Sequence, residues 1–89
     1  MEIIFSRNFK KQAKKISENS SSRKEKINTV IKDFSMQGRG SEFYRKKLKG
    51  NWYGYEELQL GGDIRIIFRE KGNVAVFEAI GTHSQLELS

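Results

Sequence analysis

Eighty-nine residues with a net charge of +6 make one small domain, residues 1–89, with no cysteine for disulfides or thiolate metal sites and a single histidine. No apolar run approaches the ~18 residues of a membrane span, and Met1-Glu2-Ile3-Ile4-Phe5 is too short and wrongly flanked for a signal peptide; a cytoplasmic protein without membrane association is expected. The charge is uneven, with 14 Lys/Arg against 5 Asp/Glu in residues 1–50, and 3 against 6 in residues 51–89. The front half is a footprint for a polyanion, either nucleic acid or an acidic protein segment, unless its charges merely solvate a helix face.

Ile3-Ile4-Phe5 reads as a short strand, and Ser6 can cap the helix that follows. Phe9, Ala13 and Ile16 form its apolar stripe, surrounded by Arg7, Lys10, Lys11, Lys14 and Lys15. After a polar loop, Ser22 with Glu25 matches a capping box. Ile27, Val30, Ile31 and Phe34 then mark a second helix that Gly38 can stop. The short loop between the two helices predicts a helical hairpin. Residues 37–50 read as irregular and basic.

The period then changes to two, over Tyr53–Leu60, Asp63–Arg69 and Asn73–Ile80. A turn at Gly61-Gly62-Asp63 sets Leu60 opposite Ile64 and Leu58 opposite Ile66. A turn at Lys71-Gly72 sets Phe68 opposite Ala75 and Ile66 opposite Phe77. Leu58, Leu60, Ile64, Ile66, Phe68, Ala75, Phe77 and Ala79 then share the face that the helices cover. Glu57, Gln59, Arg65, Ile67, Arg69, Val76 and Glu78 share an open polar face, with Arg65 between Gln59 and Glu78. The expected fold is α+β: a two-helix hairpin on a small, mainly antiparallel four-stranded sheet, in the order β-α-α-β-β-β.

No phosphate loop, dinucleotide fingerprint, zinc finger or Ser-His-Asp triad is present. What remains is His83, just past the last strand, with Arg65 on the open face, Asp63 in a turn and a basic loop before the sheet. An imidazole can serve as acid or base near neutral pH. A guanidinium matches two phosphate oxygens and stabilises charge that grows in a transition state. Such a set suits RNA cleavage by the substrate's own 2′-hydroxyl, which requires no metal or small-molecule cofactor. Each residue also has a plainer reading. His83 can make a structural hydrogen bond, Asp63 can serve the turn geometry, and Arg65 can pair with Glu78 across strands. Trp52, Tyr53 and Tyr55 can stack bases or pack against the sheet edge.

Three stretches together resemble the RelE superfamily of bacterial and archaeal toxins: Leu48-Lys49-Gly50-Asn51-Trp52-Tyr53-Gly54-Tyr55, Gly62-Asp63-Ile64-Arg65-Ile66-Ile67-Phe68 and Gly81-Thr82-His83-Ser84-Gln85-Leu86. The closing Gly-Thr-His-Ser is similar to the YafQ branch, and Phe5-Ser6-Arg7-Asn8-Phe9-Lys10-Lys11 before a helical hairpin fits as well. The resemblance implies a RelE-like fold, a toxin of a type II toxin–antitoxin system, and a cognate antitoxin that neutralises it. It implies a metal-independent mRNA interferase acting on mRNA in the ribosome to inhibit translation.

By the same resemblance His83 falls on the catalytic histidine, Asp63 on the turn aspartate and Arg65 on the strand arginine. Lys46, Lys47, Lys49 and Gln59 are expected to contact RNA. The general base is open between Asp63 and Lys46. The chain departs from the YafQ pattern at Lys46 and Gln59, which stand where that branch carries histidines, and at Ile64 and Glu87, which replace aromatics. Two other classes stay in view: a ParE-like gyrase poison, and a degenerate toxin that only binds its antitoxin.

Overall fold

The computed structural model describes residues 2–37 and 45–86; the helix stop expected at Gly38, and Glu87, lie outside the described residues. In chain order the elements are β1 (Glu2–Phe5), α1 (Arg7–Ser17), α2 (Ser21–Gln37), β2 (Arg45–Lys47), a 3-10 turn (Gly50–Trp52), β3 (Glu56–Gln59), β4 (Ile64–Lys71) and β5 (Val74–Thr82). The sheet runs β1-β5-β4-β3-β2, with β1 parallel to β5 and every other pair antiparallel. The two-layer α+β architecture is as expected, but the sheet has five strands rather than four. The extra one is β2, in a stretch read as irregular because Arg-Lys-Lys shows no apolar alternation.

Ser6 caps α1 as anticipated, accepting from the Phe9 amide at 3.0 Å. The cap of α2 is different: the Arg23 amide donates to Ser20 Oγ at 3.3 Å, so Ser22 lies inside the helix and no Ser22–Glu25 capping box opens it. Phe9 on α1 and Ile27, Val30 and Phe34 on α2 pack against Leu58, Ile66, Phe68, Ala75 and Phe77 of the sheet. Among the described residues no helix is long and apolar enough to cross a membrane.

The turn between β3 and β4 falls where the glycines placed it, with Gly61 and Gly62 both at positive φ and Leu58 opposite Ile66. The register of β4 and β5 departs from expectation. The turn residues are Gly72 and Asn73, so Phe68 pairs with Phe77. A bulge then intervenes, because Ile67 pairs with Ala79 and Ile66 with Ile80. Glu78 is the additional residue. Beyond it the parity of β5 inverts: Ile80 joins the core beneath the helices, and Ala79 moves to the opposite face.

A bulge leaves ladder groups unpaired, and α1 satisfies them. Ser6 Oγ donates to the Glu78 carbonyl at 2.9 Å, and Asn8 Nδ2 donates to it at 3.2 Å. The Ile80 amide donates to Gln12 Oε1 at 2.9 Å. The first turns of α1 therefore hold the kink that carries β5 toward its C-terminal end.

Candidate active site

The sheet face away from the helices divides into an apolar part and a polar part. Ile67, Ala79 and Leu86 form a second small core there, flanked by Leu48, Trp52 and Tyr55. This corrects the expectation of an open, polar face, for part of it is covered. Leu86 reaches it because the chain after β5 folds back as a tight turn. In that turn the Leu86 amide donates to the Thr82 carbonyl at 3.0 Å. Thr82 and Gln85 bond reciprocally, the Thr82 amide to Gln85 Oε1 at 2.9 Å and the Gln85 amide to Thr82 Oγ1 at 3.1 Å. Trp52 Nε1 donates to the Leu86 carbonyl at 3.1 Å and ties the turn to the 3-10 segment.

His83 opens this turn. It is exposed and makes no hydrogen bond among the described residues. The last β4–β5 pair is Ile64 with Thr82, so Asp63 and His83 stand one position beyond it on neighbouring chains. Asp63 is exposed as well, with no partner among the described residues.

Arg65 pairs with Gln59 on one side and Gly81 on the other. The expected Glu78 neighbour is displaced by the shifted turn together with the bulge, and Glu78 instead sits 3.9 Å from Arg69. Arg65 faces Glu57, with 3.8 Å between Nε and Oε2. Arg65 Nη1 also donates to the carbonyls of Gly62 and Ile64, both at 3.3 Å. These bonds anchor Nη1, while Nη2 and the buried Nε have no hydrogen-bond partner among the described residues.

Glu57 was not among the expected site residues, yet it is the one buried charged residue of the described chain, 4% exposed. Gln59 Nε2 donates to its Oε1 at 3.3 Å, while Oε2 has no hydrogen-bond partner. Buried carboxylates persist where a cation faces them. Alternation placed Glu57 beside Arg65, and that was the available signal; its burial depends on a face that the sequence pattern left open.

Of the three lysines expected to contact RNA, the structure brings one to the face of Arg65. Lys46 pairs with Glu57 and shares its face. Lys47 pairs with Glu56 one residue along and so belongs to the other side of the strand, and Lys49 lies beyond it, before the 3-10 turn. The site thus gathers Lys46, Glu57, Gln59 and Arg65 on three strands, with Asp63 and His83 at its end. Among the described residues no three His, Cys, Asp or Glu side chains are grouped to hold a metal ion.

Gly81 lets the His83 turn lie close to the sheet. A Cβ there would meet Gln85 Oε1 at 3.1 Å and Leu86 Cγ at 3.4 Å. Gly81→Ala is expected to lower stability by about 1 kcal/mol, in the range of overpacking. Gly81→Val should lower it further and expose Leu86. Thermal unfolding checks both, and a Gly81→Val midpoint equal to that of the parent would contradict the packing argument.

The chain matches the family model described as a bacterial toxin of type II toxin–antitoxin systems, YafQ, over residues 1–88. A comparison with the curated proteins returns no match. Among solved structures, YafQ from E. coli strain BL21(DE3) superposes with a TM-score of 0.79 at 19% identity, covering 96% of each chain. A metal-bound toxin from Helicobacter pylori gives 0.78 at 24% identity over 97% of this chain and 98% of that one. The toxin–antitoxin complex YoeB-YefM from Staphylococcus aureus gives 0.73 at 23% identity, over 93% and 97%. At these identities the superpositions establish the fold.

Proposed function

As the chain belongs to the YafQ family of bacterial toxins of type II toxin–antitoxin systems, we propose that it is a metal-independent endoribonuclease that cuts mRNA on the ribosome and stops translation. The observation that carries this reading is the placement of Arg65. It is held by a buried carboxylate and turn carbonyls, with one guanidinium nitrogen unengaged, two residues along the sheet from the His83 turn.

In the proposed reaction the RNA's 2′-hydroxyl attacks its own phosphorus. The 2′-O–P bond forms, the P–O5′ bond breaks, and a 2′,3′-cyclic phosphate remains. Attack and departure are in line, so base and acid belong on opposite sides of the phosphate. His83 protonates the departing 5′-oxygen. Asp63 shares the His83 side of Arg65 and orients the imidazole. Glu57 and Lys46 lie on the other side. Glu57 supplies an oxygen able to take the 2′-hydroxyl proton, directly or through one water. Lys46 meets the RNA backbone, Gln59 hydrogen-bonds the substrate beside Glu57, and Arg65 stabilises the charge that accumulates on the non-bridging phosphate oxygens.

A cognate antitoxin is the proposed protein partner, by analogy with the DinJ-YafQ and YoeB-YefM complexes of the neighbours. The test is mRNA cleavage in a translation reaction. His83→Ala should cut at least about 100-fold more slowly than the wild type, and equal rates would remove His83 from the mechanism. A gyrase supercoiling assay separates the ParE-like alternative, since a ribonuclease leaves supercoiling untouched.

A further inference from the structure

Three aromatic residues lie close together before β3, and they have different fates. Trp52 and Tyr55 meet edge to face, 5.4 Å between ring centroids, and pack against the small core of Ile67, Ala79 and Leu86. Tyr53, between them in sequence, is 82% exposed. Its backbone is fixed: the Tyr53 amide donates to the Gly50 carbonyl at 3.1 Å, and Gly54 turns the chain at φ 93°. The ring is therefore held out on a rigid support.

Beside it is a groove of about 440 Å³ lined by Lys47, Lys49, Tyr53, Tyr55 and Glu56. Both lysines are exposed, and neither makes an ion pair among the described residues. The one acid of the groove, Glu56, is engaged by Arg45 at 3.1 Å. The groove is thus cationic, with an open aromatic face. It lies at the Glu56 end of β3, three residues and roughly 10 Å along the strand from Gln59 at the proposed cleavage site.

We propose that this groove is a second nucleotide site, in which Tyr53 stacks a base of single-stranded RNA and Lys47 and Lys49 hold the flanking phosphates. The proposal rests on the ribonuclease reading above and extends it to a nucleotide outside the one being cut. The chemistry fits single-stranded RNA because a paired base hides its faces within the stack, whereas an unpaired one offers a face to an aromatic ring. Stacking tolerates any base, so the site adds affinity and register without adding sequence preference.

The test is fluorescence anisotropy with a labelled single-stranded RNA dodecamer, in a His83→Ala background so that the probe stays intact. Tyr53→Ala should weaken binding about ten-fold or more. Tyr53→Phe, which keeps the ring face, should stay within about two-fold of the parent. Lys47→Ala with Lys49→Ala should reduce the slope of log affinity against log salt by about 1.4, from roughly 0.7 for each phosphate contact. Tyr53→Ala should leave that slope unchanged. Its unfolding midpoint should match the parent's, and affinity lost together with the fold would count against stacking.

If Tyr53→Ala binds as tightly as the parent, the site is overturned while the ribonuclease reading stands. The site is likewise overturned if wild-type protein cleaves mRNA but the parent does not bind the probe. Absence of both cleavage and binding overturns the two together.

Discussion

Replacing Arg65 by Met is expected to abolish cleavage and weaken the fold together, and the two effects can be separated. On the proposed mechanism the guanidinium stabilises transition-state charge, and removal of such a donor costs about 100- to 1000-fold in rate. The same change leaves Glu57 buried without the guanidinium beside it, keeping the hydrogen bond from Gln59. A buried charge stripped of its partner costs about 3–5 kcal/mol; at 3.8 Å the pair is loose, so the lower end applies. Adding Glu57→Gln to Arg65→Met removes the stranded charge and should return most of the stability. Activity should not return, since the phosphate contact and the proposed base are both gone. Urea unfolding and translation-coupled cleavage, run on both variants, read the two quantities. Recovered cleavage in the double variant would make Arg65 a structural residue and remove it from catalysis.

Phe77→Ala should have the largest effect on stability. Phe77 is fully buried, and its ring meets those of Phe5, Phe9, Phe34 and Phe68 at centroid distances of 5.3 to 5.8 Å. It thereby joins β1, α1, α2 and β4 at one point. A Phe→Ala change in a core costs about 3–5 kcal/mol. A domain of this length has roughly 5–10 kcal/mol in all, so the variant loses a third or more of its stability. The midpoint of thermal unfolding should fall by more than about 12 °C. A fall of only a few degrees would show that the helix layer closes over the gap.

The helices and the β3–β4 turn were legible in the sequence because each carries a local signal. Phe9, Ala13 and Ile16 repeat at the helical period, Ser6 precedes them, and Gly61-Gly62 supplies two positive-φ positions. The bulge at Glu78 was not legible. Its stabilising partners, Ser6, Asn8 and Gln12, belong to α1, at the other end of the chain. That single additional residue exchanged the faces expected for Ala79 and Ile80, while the turn at Gly72-Asn73 had already carried Glu78 away from Arg65. Strand β2 was hidden for a related reason. Arg45 reads as a solvent-facing cation, but its guanidinium lies 4.9 Å from the centre of the Phe68 ring and 5.5 Å from that of Phe34, paired with Glu56 and Glu70.

The candidate site divides in the same way. Arg65 and Asp63 could be placed at one end of the sheet from the Gly61-Gly62 turn, whereas the place of His83 depended on the β4–β5 register and on how the chain folds after it. The burial of Glu57 was not legible, because the small core on its face is completed by Leu86 from the turn after β5, tied down by Trp52. The basic segment, read as one unit, separates into Lys46 on the Glu57 face and Lys47 with Lys49 in the Tyr53 groove.

The parallel pairing of β1 with β5 has a kinetic consequence. Ser6 and Glu78, bonded in the native state, are 72 residues apart. Ile3 and Phe5 therefore have no strand to lie against until β5 has been synthesised. Contacts of such long range slow folding, because the entropy of closing the loop is spent before the contacts form. A partly made chain can assemble its helical hairpin, but it holds neither the strand that positions Gly81 nor the turn that carries His83. The proposed cleavage centre is accordingly acquired all at once, only after β5 and the turn that follows it have been made.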